Sequence, residues 1–233
     1  MAAKHPGIKA YYPKAIVTAP PEQRKHLLRR FWLPAVLFLA LAAGGLTGII
    51  AAYELNVSCP NTVAGGIQFG SDPRSLDDVV SITKRISRRP LIVKLSPNVT
   101  SIAQMAYVAQ EAGADGLSLV NTFVAMAIDS ETRKPRIANV TAGLSGPAIK
   151  PIALRMVYDA SKAVNIPVIG MGGISTAADI VEFMLAGATA VQIGTASYWD
   201  PVATEKIAGE LETWCSERHV ARVSDLTGAM VME

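Results

Sequence analysis

From residue 53 onward the chain repeats one pattern five times: a short run rich in β-branched residues, then a stretch with helical spacing. The runs cover 53–57, 91–95, 116–120, 168–171 and 190–193. Each shows little polar alternation along most of its length, as expected of parallel strands covered on both faces. Between them, Leu76, Val79, Val80, Ile82 and Ile86 mark the buried face of a helix opened by Asp72-Pro73 and reaching about residue 88. Further helices are predicted over 101–112, ended by Gly113, from Pro147 and Pro151 through Ala160, over 176–186 with Gly187 behind it, and from Pro201 to about residue 218.

Repeated βα units build either an open doubly wound sheet or a closed barrel. An open dinucleotide fold carries GxGxxG after its first strand. Here the glycine pairs follow the last two strands instead, as Gly170-Met171-Gly172-Gly173 and Gly194-Thr195. Loops after the seventh and eighth strands are where a (β/α)8 barrel grips phosphate, so the α/β TIM barrel is the expected fold. A lone GxGG can equally be a tight turn needing positive φ. Two such sites at consecutive strand ends favour a phosphate cradle.

The first fifty residues differ. RKHLLRR (24–30) precedes FWLPAVLFLALAAGGLTGIIAAY (31–53), which holds no charged residue. About 20 apolar residues can span a bilayer, and the basic flank would keep the N-terminus cytoplasmic. Against a span stand Pro34 and the cluster Gly44, Gly45, Gly48; residues 48–55 can equally be a buried strand with its approach loop. Residues 1–23, with Pro6, Pro13, Pro20 and Pro21, read as an irregular arm. The composition boundary falls near Gly45, giving an arm over 1–44 and a βα region over 45–233. A net charge of +3 on 233 residues is no footprint for nucleic acid. Cys59 and Cys215 are too few for a disulfide framework and form no CxxC zinc motif, so a reducing compartment is expected.

Along the rim of strand ends sit Asn56, Ser58, Cys59, Asn61, Lys94, Asn121 and Thr122, where barrel enzymes keep catalytic groups. Cys59 lies beside Pro60 and ahead of a glycine-bearing stretch, 61–70, that reads as a mobile lid. Cysteine can be a small buried apolar residue, but a Pro/Gly-rich loop at a strand end favours a reactive thiol. Cys215, beside Trp214 on the last helix, reads as inert. Lys94 interrupts LIVKL, and an ammonium in a covered strand needs an anionic partner. A bound anionic cofactor or a structural ion pair would serve, and no carboxylate near it in the chain stands out. Asn121 and Thr122 either cap backbone or offer donors and acceptors to a planar amide-like ligand. His5, His26 and His219 lie off this rim, and neither a histidine triad nor a metal motif is found.

These residues carry a family resemblance. ELNVSCPN (54–61), LIVKLSPNVT, GLSLVNT, MAIDSETRKP (126–135), GLSGPAIKP (143–151), PVIGMGGI and AVQIGTAS resemble the catalytic subunit of class 1B dihydroorotate dehydrogenase, from about residue 45 to the C-terminus. That resemblance implies an FMN-containing (β/α)8 barrel oxidising dihydroorotate to orotate in pyrimidine biosynthesis, in the cytoplasm. It implies Cys59 as the base at C5 of dihydroorotate while a hydride leaves C6 for the flavin. Asn56, Asn121 and Thr122 would hold the substrate, Asn56 also touching FMN. Lys94 would offset negative charge on reduced flavin, Val120 and Gly146 would contact the ring system, and Gly172, Gly173, Gly194 and Thr195 would cradle the phosphate. The implied partners are a second copy, giving a homodimer within a heterotetramer, and an electron-transfer subunit with FAD and a 2Fe-2S cluster that reduces NAD.

Residues 1–44 match none of the family's early motifs, and the matching strands would be the fourth to eighth of eight. A truncated or frame-shifted start is therefore expected in preference to a membrane anchor. The alternative to an active enzyme is a non-catalytic part-barrel that at most binds flavin or a partner subunit.

Overall fold

The computed structural model describes residues 50–57 and 66–232. Contacts divide the chain into two units, residues 1–50 and 51–233. The predicted arm, residues 31–49 of the apolar run and the residues Ser58, Cys59 and Asn61 lie outside the described residues, as does the first half of the predicted lid.

The chain forms β1 (Tyr53–Asn56), α1 (Gly66–Ser71), α2 (Pro73–Ile86), β2 (Leu91–Lys94), α3 (Ile102–Glu111) and β3 (Gly116–Leu119). Four short strands follow: β4 (Phe123–Met126), β5 (Ile128–Asp129), β6 (Lys134–Pro135) and β7 (Thr141–Leu144). A 3-10 turn at Pro147–Ile149 leads into α4 (Lys150–Ala163), β8 (Val168–Met171), α5 (Ala177–Leu185), β9 (Ala190–Gln192), α6 (Ala196–Trp199) and α7 (Ala203–Glu217). The five expected strands are all present, each ending within one residue of its predicted limit. They make one parallel sheet in the order β1-β2-β3-β8-β9, an incomplete α/β barrel with helices against its outer face.

Local chemistry explains where the helices begin. The Asp72 carboxylate accepts the Ser75 N–H at 2.9 Å, and Pro73 sits at the first helical position, where its missing N–H costs nothing. Ser101 caps α3 by accepting from the Gln104 N–H. Thr176 and Asp179 form a reciprocal capping box at α5. Leu76 and Val80, one turn apart on α2, are fully buried against the strand residues Leu91, Val93, Leu117 and Leu119. Phe183 of α5 is the largest fully buried side chain. It presses directly on β8: a Cβ on Gly170 would lie 2.7 Å from its ring.

Three sequence expectations need correction. Strand β1 alternates after all, because Glu54 and Asn56 turn to the concave, exposed side while Tyr53 and Leu55 face the helices. The second half of the predicted lid is not a loop: residues 66–71 form α1, and Gly70 is buried so close to β1 that a Cβ would lie 2.8 Å from the Val57 carbonyl oxygen. Residues 123–144 carry two antiparallel hairpins, β4 with β7 and β5 with β6, that no strand pattern announced. The Asp129 carboxylate closes the inner hairpin by accepting the N–H groups of Glu131 and Thr132.

Two predictions follow from this packing. Phe183→Ala is expected to cost about 3–5 kcal/mol and Gly170→Ala about 1–3 kcal/mol, read from urea unfolding of the full chain. The second concerns Asp179, which is buried and accepts from Lys150 Nζ, the N–H and hydroxyl of Ser175 and the Thr176 N–H, tying the start of α4 to that of α5. Burial alone would raise its pKa, but the bonds from Lys150, Ser175 and Thr176 outweigh that and hold the carboxyl below its ordinary value. A depressed folded pKa adds stability above the unfolded value of about 3.9, lost as pH falls through the folded one. The parent melting temperature should therefore fall more steeply than that of Asp179→Asn between about pH 4.5 and 2.5; parallel curves would exclude this carboxylate as the cause.

Candidate functional site

The register of the sheet sets the site. Asn56 pairs with Lys94, and Lys94 with Ser118, so three polar residues stand abreast on neighbouring strands. Just beyond them the strand ends open into a cleft of about 200 Å³, partly open to solvent. Nine of the residues singled out from the sequence line it: Lys94, Val120, Asn121, Thr122, Gly146, Gly172, Gly173, Gly194 and Thr195. Asn56 joins them indirectly, its Oδ1 accepting from Asn121 Nδ2 at 3.2 Å. Cys59 is outside the described residues. Cys215 is buried on α7.

One end of the cleft is built from backbone. Gly172 and Gly173 have φ of +129° and +81°, a conformation that L side chains rarely adopt. A Cβ on Gly173 would also lie 2.7 Å from the Gly146 carbonyl oxygen, so the loop after β8 and the turn before α4 touch through glycine. The Thr195 hydroxyl donates to Ser145 Oγ at 2.9 Å, drawing in the loop after β9. A Cβ added at Gly194 would meet nothing within 4 Å. Successive backbone N–H groups in such turns make concavities suited to phosphate.

The other end is built from side chains. Asn121 Oδ1 accepts from the Thr122 N–H, while its amide nitrogen reaches Asn56. Asn98, which the sequence reading passed over, holds this segment: its Nδ2 donates to the Thr122 carbonyl at 3.1 Å and its Oδ1 accepts from the Val124 N–H at 3.0 Å. The signal was available, because Ser96-Pro97-Asn98 echoes the S-x-P-N of residues 58–61 at the preceding strand end. Lys94 does have a carboxylate at hand. Glu54, on the adjacent strand, lies 3.4 Å from its ammonium, a pairing invisible without the strand register. Glu54 and Gln192 are further site residues that went unnoticed.

Between the two ends the lining is apolar, from Val120, Ile149, Met171, Ile174 and Ile193. A cation at one end, apolar walls, and glycine turns at the other suit a flat, amphipathic ring system that ends in phosphate. Among the described residues no cluster of His, Cys, Asp and Glu could hold a metal, and no helix is long and apolar enough to cross a membrane.

Comparison with known proteins agrees. Crystal structures of dihydroorotate dehydrogenase from Eimeria tenella, one in complex with ferulenol and one ligand-free, superpose with TM-scores of 0.68 and 0.66 at 24% and 26% identity. They cover 82% and 77% of this chain, and 57% and 56% of their own. Proteins of Pelobacter propionicus and Geotalea uraniireducens, both named dihydroorotate dehydrogenase B (NAD(+)), catalytic subunit, are 57% and 56% identical over 78% of this chain. A Solibacter usitatus protein, 58% identical over the same share, carries a provisional name of the A, fumarate, type. The chain spans about 60% of the length of these curated relatives. Residues 42–214 match the family model described as dihydroorotate dehydrogenase, and the chain belongs to the dihydroorotate dehydrogenase family.

Proposed function

We propose that this chain takes part in the FMN-dependent oxidation of dihydroorotate to orotate in cytoplasmic pyrimidine biosynthesis, as a class 1B catalytic subunit. The observation that carries the reading is the gathering of a cation, two amide- or hydroxyl-bearing residues and three glycine turns, from five separate chain segments, around one apolar cleft. FMN, when bound, supplies the two-electron acceptance that the oxidation needs. Gly172, Gly173, Gly194 and Thr195 would hold its phosphate, Val120 and Gly146 would line its ring, and Asn56 and Lys94 would meet its polar edge.

The remaining work belongs to the chain's own side chains. Asn56, Asn121 and Thr122 orient the pyrimidine amides and carboxylate; the Asn121–Asn56 bond and the Asn98 brace supply the preorganisation that positioning requires. Cys59 removes the C5 proton, and the C6 hydrogen departs with its electron pair to the flavin acceptor, so the C5=C6 double bond of orotate forms with one proton and one hydride lost. A thiol suits this role because its pKa can be brought near the working pH. An electron-transfer subunit bearing FAD and a 2Fe-2S cluster passes the electrons to NAD, and the chain dimerises within a heterotetramer. The names of the B-type relatives support NAD over fumarate as acceptor.

Purified full-length chain incubated with FMN should hold a flavin spectrum that bleaches on adding dihydroorotate. Protein that stays colourless would favour a non-catalytic part-barrel. Cys59→Ala should keep the bound flavin but slow its bleaching by about 10²–10⁴-fold, the usual weight of a general base. Equal rates in variant and parent would remove Cys59 from the chemistry.

A further inference from the structure

Glu54 on the concave face ties three other strands together. Its Oε2 accepts from the Ser118 hydroxyl at 2.9 Å and from Gln192 Nε2 at 3.2 Å, while its Oε1 faces the Lys94 ammonium at 3.4 Å. One carboxylate on β1 therefore reaches β2, β3 and β9, the last at the far side of the sheet. Ser118 is fully buried, so its hydroxyl is aimed and held. The two neutral donors immobilise one oxygen and leave the other turned to Lys94. Lys94 and Gln192 both line the cleft, whereas Glu54 stands behind them. The pair is partly exposed, with side-chain exposure of 21% for Lys94 and 31% for Glu54, so water screens it in part.

We propose that Glu54 is a positioning residue that holds the Lys94 ammonium at the floor of the cleft and sets how much of its positive charge acts there. The juxtaposition decides the sign. A carboxylate behind the ammonium partly cancels its field in the cleft, and removing the carboxylate while keeping its size strengthens that field. Where FMN occupies the cleft, which rests on the reading above, the reduced, more electron-rich flavin gains most from the unmasked cation. Glu54 thus acts as a brake on the flavin potential, and not on substrate contacts.

Two readouts on the full chain test this, one of them independent of flavin. In flavin-free protein, acylation of Lys94 by acetic anhydride, followed by peptide mass spectrometry against the other lysines, should be several-fold faster in Glu54→Gln, because the carboxylate no longer holds the Lys94 side chain against the strand. Glu54→Asp, which retains the charge, should label more slowly than Glu54→Gln. In FMN-loaded protein, Glu54→Gln should favour reduced over oxidised flavin about tenfold, near 30 mV for a two-electron couple. The same change made in a Lys94→Met background should have much less effect. Unchanged labelling with an unchanged potential, or an equal potential shift in both backgrounds, would reduce Glu54 to a strand tie and overturn the proposal. Failure of the parent to bind FMN while Glu54→Gln still accelerates Lys94 labelling would overturn the flavin reading and leave the Glu54–Lys94 coupling standing.

Discussion

The pairing of β3 with β8 is the join on which everything else hangs. It skips the whole excursion over 123–144 and sets Leu117 beside Val168 and Leu119 beside Gly170. At its upper end the Val120 N–H donates to the Met171 carbonyl at 3.0 Å, a backbone bond between two residues that line the cleft. On one side of this seam lie the polar side chains of β1, β2 and β3; on the other lie the glycine turns after β8 and β9. Without the seam, neither half makes a cavity. Its strength comes from both faces: Leu117 and Leu119 are fully buried toward the helices, so slippage by one residue would turn two leucines toward the polar concave side.

The division of labour in the cleft follows from what each end must do. A phosphate is satisfied by N–H groups of the main chain, which glycine supplies at no steric cost, so that end needs almost no side-chain chemistry. The opposite end carries direction and charge, and there side chains are braced by other side chains: Asn121 by Asn56, the Thr122 carbonyl by Asn98, Lys94 by Glu54. Each brace lies on a different strand or loop from the residue it holds, and β1 supplies two of them, Asn56 and Glu54. Single substitutions at this end therefore propagate, while the glycine end is most sensitive to a Cβ added at Gly172 or Gly173, where it would press on Ala153 or on the Gly146 carbonyl.

How much of this was legible in the sequence depends on the range of the interaction responsible. Strands and helices were readable because their signals are local: β-branched runs, Asp72-Pro73, Ser101 and Thr176 as caps. The rim residues were readable because position at a strand end is also a local property. The hairpins over 123–144 were not, since strands of two to four residues turned by Arg133 and Val140, both non-glycine residues with positive φ, leave no alternation to detect. Glu54 was missed for the opposite reason. Its partners lie 40, 64 and 138 residues away, and only the register β1-β2-β3 with the curl that brings β9 around makes them neighbours.

The outer hairpin is rooted at its two ends and braced by Asn98, which accepts the Val124 N–H. Phe123 pairs with Leu144, and the residues immediately outside that pair, Thr122 and Ser145, both line the cleft. Val124, Met126, Ile128, Val140 and Leu144 leave much of their apolar surface in water. The hairpin is thus a handle whose two roots are anchored at opposite ends of the cavity, one at the side-chain floor and one at the glycine turns. Any force that tilts the handle is delivered to both roots at once.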